Sequence, residues 1–579
     1  MFFSENLHCT PILATLSRVC CLLSASGLIG SLAGAAIAQS IPPTPSDLPD
    51  PAEQTLPAPT EPLVPTPQSP ARPILPPTTL PVSPTSPASE FAFQVNQIEV
   101  VGSTVLQAEI ANLVQPLEGQ TLTLEDLFDL RTAITNLYIA QGYVTSGAFL
   151  PNNQDLSDGV VQIQVVEGSL EEIQVNGLGH LQEGYVRDRI ALATQTPLNV
   201  RRLEEALQLL QVNPLLARVS AELTAGSAPG QTLLILDLTE ADPFLANFGV
   251  DNNRAPSIAS LQGTTSLTHL NVLGLGDQLS VGGGFTEGLK LYTVSYALPL
   301  NAYDGTLEVR YENARSRIVD PRFVELGIRN ESESLGINFR QPLTRSVNSE
   351  FALGLGLDLR ESRSFILDDI PFSFSEGANR GVAKVSALRF SQEWVNRDIN
   401  TVLAVRSQFS LGINAFGATV NESGPDGQFF SWLGQAQWVQ QFAPGTLLLT
   451  RLTTQLTPDS LLPVERFSLG GAETVRGYAQ NQIVTDNALL GSVELRLPLS
   501  SIPNELQLTP FIDAGAGWNN DSPDPDSSFL LGTGLGLRWQ PAPELSVRLD
   551  YGIPLIGVRR TGSSLQENGF YFSVNFQPF

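Results

Sequence analysis

Arg476 and Asp513 are the two charged residues whose settings prepare them for chemistry. Arg476 stands in Phe467–Tyr478, FSLGGAETVRGY, between Val475 and Gly477, with Tyr478 behind. The glycine pair Gly470 and Gly471 opens that stretch, where the backbone can turn without steric cost. Asp513 stands in Phe511-Ile-Asp513-Ala-Gly515. A strand there puts Leu506, Leu508, Ile512 and Ala514 on one face and Phe511, Asp513 and Gly515 on the other, because side chains alternate. With the apolar face against lipid, Asp513 points into a barrel lumen. A confined carboxylate needs a cation, and a planar guanidinium can grip it with two parallel hydrogen bonds. The expected chemistry is therefore docking: Arg476 pairs with Asp513. Two unrelated features, a surface loop and a chance aspartate, are the alternative; the order and setting of the motifs favour the pair.

Residues for catalysis are scarce. The histidines are His8, His180 and His269, and the cysteines are Cys9, Cys20 and Cys21. A metal cluster or a histidine-based triad is not expected, and His180 and His269 read as surface or structural. Leu273-Gly-Leu-Gly-Asp277 and Gly282-Gly-Gly284 lack a following helix, so they are not nucleotide loops. The acidic loop Asp521–Asp526 reads as a solvated surface. No enzyme, no cofactor and no metal is expected. The charge of −26, from 32 basic and 58 acidic residues, argues against nucleic acid.

Those two motifs must be held by a chain of 579 residues, too long for one ordinary domain. Residues 19–38 form an apolar run ending in small residues, and Ala36-Ile-Ala38 before Gln39 matches a signal-peptidase site. A signal peptide is expected over 1–38, and cleavage would remove every cysteine. The alternative is a retained membrane helix. No later run is long and apolar enough for a transmembrane helix. Residues 39–90 are expected to be a disordered spacer, because the dense prolines and hydroxyls of 41–88 cannot bury a core.

Residues 91–168 read as strand, helix, helix, strand, strand. Val95, Ile98, Val100 and Val101 begin the module. A helix over about Leu124–Gln141 aligns Leu127, Leu130, Ile134, Leu137 and Tyr138 on one stripe. Strands follow at Val144–Leu150 and Val160–Glu167. Residues 169–242 repeat the plan: Ile173 and Val175 on a strand, Val186, Ile190 and Leu192 on one helix, and Leu203, Leu207 and Leu210 on the next. Strands Ala217–Leu223 and Leu233–Leu238 close it.

From 243 to 579 the pattern becomes short alternating runs between turns. Strands are expected near Phe244, Leu261, Leu279, Leu291, Leu307, Leu335, Phe351, Ala383, Val402, Phe430, Leu447, Leu489, Leu506, Leu531, Leu545 and Phe570. That is about sixteen, even as single-chain bacterial barrels require. In Leu545–Ile553, Leu545, Val547, Leu549, Tyr551 and Ile553 face away from Ser546, Arg548, Asp550 and Gly552. Alternation alone would also suit a sandwich, but a sheet this wide must close to hide its edges in lipid. In the final stretch Phe570, Phe572, Val574 and Phe576 share a face, whereas Phe579 has the opposite parity.

The VRGY loop and the FxDxG strand together resemble those of the Omp85 superfamily of outer-membrane translocators and assembly factors. The phrases Tyr138-Ile-Ala-Gln-Gly142-Tyr143 and Gly159-Val-Val-Gln-Ile-Gln-Val-Val-Glu167-Gly168 resemble the first POTRA domain of two-partner secretion transporters (TpsB; the ShlB/FhaC/HecB family). Asn213-Pro214 and Pro229-Gly230-Gln-Thr-Leu-Leu resemble the second. The C-terminal stretch resembles the signal by which the barrel-assembly machinery recognises its clients. The resemblance implies a transmembrane β-barrel preceded by two α/β POTRA domains, in the outer membrane of a Gram-negative-type bacterium, with the POTRA domains in the periplasm. It implies that the loop bearing Val475, Arg476, Gly477 and Tyr478 enters the pore and docks on the strand bearing Phe511, Asp513 and Gly515. As the loop after the eleventh strand, it is the sixth outer loop, the one that does so in the superfamily. The implied partner is an exported haemolysin-like or adhesin-like protein, bound in extended form by the POTRA domains. The family's plugging helix has no candidate here, since it would have to survive repeated prolines. The alternatives are an assembly factor of the same superfamily, a passive porin and a surface adhesin; two modules favour secretion over assembly.

Overall fold

The computed structural model describes residues 92–502, 504–559 and 562–578. The expected signal peptide, the expected proline-rich spacer and Phe579 lie outside the described residues.

The first α/β module is built on the helix Leu124–Ala140. Thr123 starts it with a capping box: its hydroxyl accepts from the Asp126 amide at 3.2 Å, and Asp126 accepts from the Thr123 amide at 2.7 Å. Leu127, Leu130, Ile134 and Tyr138 are buried, and Leu137 is partly buried against them. A shorter helix, Gln107–Val114, packs alongside. The sheet pairs Gln97–Val101 in parallel with Val160–Val166, which pairs antiparallel with Gly147–Phe149. The strand expected over Val144–Leu150 is thus cut to three residues. The turn that ends the long helix uses the others, with the Tyr143 amide bonded to the Tyr138 carbonyl and Ser146 to Tyr143.

The second module repeats this plan with strand Ser169–Asn176, helices Glu183–Ala191 and Val200–Gln211, and strands Leu216–Ala225 and Gln231–Glu240. Ile173, Val186, Ile190, Leu203, Leu207 and Leu210 join one core. Leu192, expected on the first helix stripe, sits just past its end and is 37% exposed. Both modules turn on a glycine, Gly102 at φ +88° after Gln97–Val101 and Gly177 at φ +82° after Ser169–Asn176. A Cβ at either would meet a carbonyl of the last strand, Val165 or Leu238.

A glutamate at the end of each last strand then captures the amides after that glycine. Glu167 accepts from Thr104 at 2.7 Å and Val105 at 3.2 Å, and Glu240 accepts from Gly179, His180 and Leu181 at 2.7 to 2.9 Å. Burial pushes the Glu167 carboxyl up, but the Thr104, Tyr138 and Val105 donors outweigh it and hold the group below its ordinary value. Burial pushes the Tyr138 hydroxyl up to about 12.

Residues 244–576 form a closed antiparallel barrel of sixteen strands, with the two-residue piece Ile370–Pro371 attached to the seventh. Each expected strand position falls in or next to one of them; the second begins at Gln262, one residue after Leu261. The last strand, Phe570–Phe576, closes on the first, Phe244–Asp251, through four residue pairs. Outward positions such as Leu535, Leu549, Tyr551 and Ile553 are exposed and apolar, whereas inward Gly536, Asp550 and Gly552 are buried. That is a barrel with a lipid-facing exterior and a polar interior. Among the described residues no helix is long and apolar enough to cross a membrane.

The second module rests on the barrel's short turns. The Gln182 amide donates to the Gly274 carbonyl at 2.8 Å, His180 Nε2 lies 3.1 Å from the Val272 carbonyl, and Arg189 pairs with Asp304. His269 stacks edge-on against Phe244.

Candidate functional site

The loop between the eleventh strand, Thr446–Leu456, and the twelfth, Asn487–Pro498, carries the site. It contains a small hairpin, Phe467–Leu469 paired with Ile483–Thr485. Gly470 and Gly471, at φ +106° and +102°, turn the chain at its tip. The Thr474 hydroxyl locks that turn, accepting from the Gly470 amide at 2.8 Å. Val475 is fully buried, packed with Leu469 over Gly515.

Arg476 is 3% exposed and Asp513 is 0% exposed, so each must be neutralised by a partner. Arg476 Nε lies 2.7 Å from Asp513 Oδ2, and Nη2 lies 3.0 Å from Oδ1, a two-point grip. The Arg476 amide donates to the same carboxylate at 3.1 Å, and Ser492 adds a hydroxyl at 2.7 Å. The guanidinium lies over the Phe511 ring, 3.4 Å from its centroid. Its remaining nitrogen, Nη1, reaches Glu494 at 2.9 Å and Asp550 at 3.6 Å. Arg496 and Arg548 balance those two carboxylates, at 3.1 Å from Glu494 and 2.7 Å from Asp550.

Tyr478 and Gly477 complete the docking. Tyr478 Oη lies 2.9 Å from the carbonyls of Leu531 and Ile556. Tyr571 donates to the Tyr478 carbonyl at 2.7 Å and accepts from the Gly477 amide at 2.8 Å. The loop backbone can lie this close because the facing wall is glycine. A Cβ at Gly532 would run into the Arg476 carbonyl, and one at Gly552 into the Gly477 amide. Val475, Arg476, Gly477, Tyr478, Phe511, Asp513 and Gly515 therefore meet at one place on the inner wall.

Glu494, Asp550, Ser492, Tyr571 and the glycine seat were not anticipated as parts of the site. Their signal was parity. Ser492, Glu494 and Arg496 alternate with Val493, Leu495 and Leu497. Asp550, Gly552 and Gly532 stood on the polar faces of their strands, but alternation alone does not say which inward residues meet. Among the described residues no group of His, Cys, Asp and Glu is arranged to hold a metal ion.

The family described as haemolysin secretion/activation protein ShlB/FhaC/HecB matches residues 230–539, more than half of the chain. This chain belongs to that family. The ShlB-type POTRA domain matches residues 93–168, the first module. The outer membrane transporter CdiB of Escherichia coli is 29% identical over 507 residues, covering 83% of this chain and 82% of that protein. The hemolysin transporter protein HpmB of Proteus mirabilis is 22% identical over 474 residues, covering 78% and 81%. The solved structure of CdiB from Escherichia coli superposes with a TM-score of 0.66 at 26% identity, covering 87% of this chain and 94% of that one. The protein is thus an outer-membrane translocator of the two-partner secretion type, a POTRA–barrel member of the Omp85 superfamily with its POTRA domains in the periplasm.

Proposed function

We propose that this translocator exports one large partner protein, which reaches the periplasm unfolded and leaves through the barrel lumen. The observation that carries this reading is the loop held inside the barrel by Arg476 on Asp513. A passive porin needs no such device, nor two soluble modules ahead of its barrel. Residues 91–168 and 169–242 serve as the client-binding POTRA domains, and 243–579 as the pore. The client adds a strand to an open sheet edge: Gly147–Phe149 or Gln97–Val101 in the first module, Ser169–Asn176 or Leu216–Ala225 in the second. Such pairing reads main chain more than side chains, which suits a long moving substrate. The client's own folding outside drives the export, and no catalytic step, cofactor or nucleic acid is involved. The pore loop is Val475–Tyr478 and its seat Phe511, Asp513 and Gly515. Residues 1–38 direct export of the chain, 39–90 act as a spacer, and the C-terminal strand is read by the barrel-assembly machinery during insertion into outer-membrane lipid.

The test is a deletion strain, with outer-membrane and culture-medium proteomes compared with the parent. Loss of one large protein from the medium, with other barrels at normal levels, is the expected result. Depletion of many barrels together would make the chain an assembly factor instead.

A further inference from the structure

The loop that carries Arg476 is tied down a second time, through residues that precede that arginine in the chain. Its outgoing arm contains the turn Pro463–Glu465. Glu465 is 9% exposed, and both of its carboxylate oxygens accept from Arg389 Nη2, at 2.8 and 3.0 Å. Arg389 also donates through Nε to Asp358 at 2.8 Å and through Nη1 to Ser410 at 2.7 Å. Arg360 donates to the Val464 carbonyl at 3.1 Å and lies 3.4 Å from Glu465. Beside these ion pairs Leu461 and Leu462, both fully buried, pack on Ala383, Val385, Ala387 and Phe429.

The two attachments lie on different walls. Asp358 and Arg360 belong to the seventh strand, Ser349–Ile366, and Arg389 to the eighth, Val382–Arg397. Arg476 is held by the twelfth, thirteenth and fifteenth strands, Asn487–Pro498, Leu506–Trp518 and Leu545–Pro554. In the ring of sixteen the two sets share no strand, so the loop is held by two separate parts of the inner wall. A loop fixed at one point could swing clear when that point lets go; one fixed at two cannot. Charged anchors also suit a reversible release, because entering water can solvate both partners of an ion pair and so repay their separation.

We propose that Glu465 is a second positioning residue of the pore loop: its ion pairs with Arg389 and Arg360 hold the arm of the loop, and the lumen clears only when this anchor and the Arg476 anchor both release. The inference rests on the pore-loop reading above. The test is single-channel recording of the purified full chain in planar lipid bilayers, with folding checked by heat-modifiable migration on gels. Glu465→Gln raises the open-to-closed ratio about tenfold, the shift expected when a charge-assisted pair is lost. Arg476→Gln raises it as well, and the double variant exceeds either. In wild type the ratio rises with salt, and Glu465→Gln flattens that dependence. A Glu465→Gln channel identical to wild type, beside an Arg476→Gln channel that opens, overturns the second anchor alone. Silence of both variants overturns the pore-loop reading itself. Should Glu465→Gln fail to fold, Arg360→Gln leaves Arg389 in place and gives a smaller rise; an unchanged ratio there overturns the proposal.

Discussion

The first module gathers Val95, Ile134, Tyr138, Val161 and Ile163 into a dry centre, whereas the barrel holds Arg476, Asp513, Glu494 and Asp550 in its interior and turns Leu535, Leu549 and Ile553 outward. Carboxylates show the same contrast. Glu167 of the module is satisfied by amides and hydroxyls, while Asp513 of the barrel is satisfied mainly by a guanidinium. In the module, apolar burial supplies stability and charge only shapes a turn. In the barrel, strand pairing and lipid hold the wall, and charge positions a loop. The two regions should therefore fail to different substitutions.

The largest effect belongs to Arg476→Ala. It strips one cation from a buried site and leaves Asp513 uncompensated, a loss of about 3–5 kcal/mol for a fully buried pair and less where water enters. The barrel still inserts and remains heat-modifiable, but the amount of client in the medium falls steeply; wild-type secretion would break the contrast. Next comes Ile134→Ala in the module core, which costs about 2–4 kcal/mol through lost contacts and a cavity. Limited proteolysis then cuts the first module while the barrel keeps its gel shift.

Gly552→Ala is smaller, about 1–3 kcal/mol of crowding between the new methyl and the backbone at Arg476 and Gly477. It lowers secretion without changing insertion, whereas an alanine at Gly491, where a Cβ meets nothing within 4 Å, leaves secretion intact. The smallest effect concerns pH. Glu167 is held below its ordinary value, so its contribution is present above about pH 4.3 and is lost as pH falls through the lowered value. Proteolysis of the first module should rise in that acid range, and Glu167→Gln should flatten the rise.

Much of this was legible because period is a strong signal. The stripe Leu127, Leu130, Ile134 and Tyr138 announced a helix, and Leu545 to Ile553 announced a strand with two unlike faces. The sixteen barrel strands follow from that pattern, and with them the place of the VRGY loop after the eleventh. What stayed hidden depends on distance in space. Glu494 lies 18 residues from Arg476 and Tyr571 lies 94 from Gly477, and no local pattern brings such residues together. The shortened strand at Gly147–Phe149 was hidden for another reason: the turn after Gly142 competed for the same residues.

Passage of the client inside the barrel can be tested at two neighbouring residues on the fourth strand, Leu289–Pro299. Thr293 faces inward beside Gly282, and Val294 is exposed on the outer face. A photo-crosslinking amino acid is placed at each position in cells exporting the client. Adducts from Thr293 and none from Val294 are expected if the client passes through the lumen. Adducts from Val294, or none from Thr293 during active export, would contradict it.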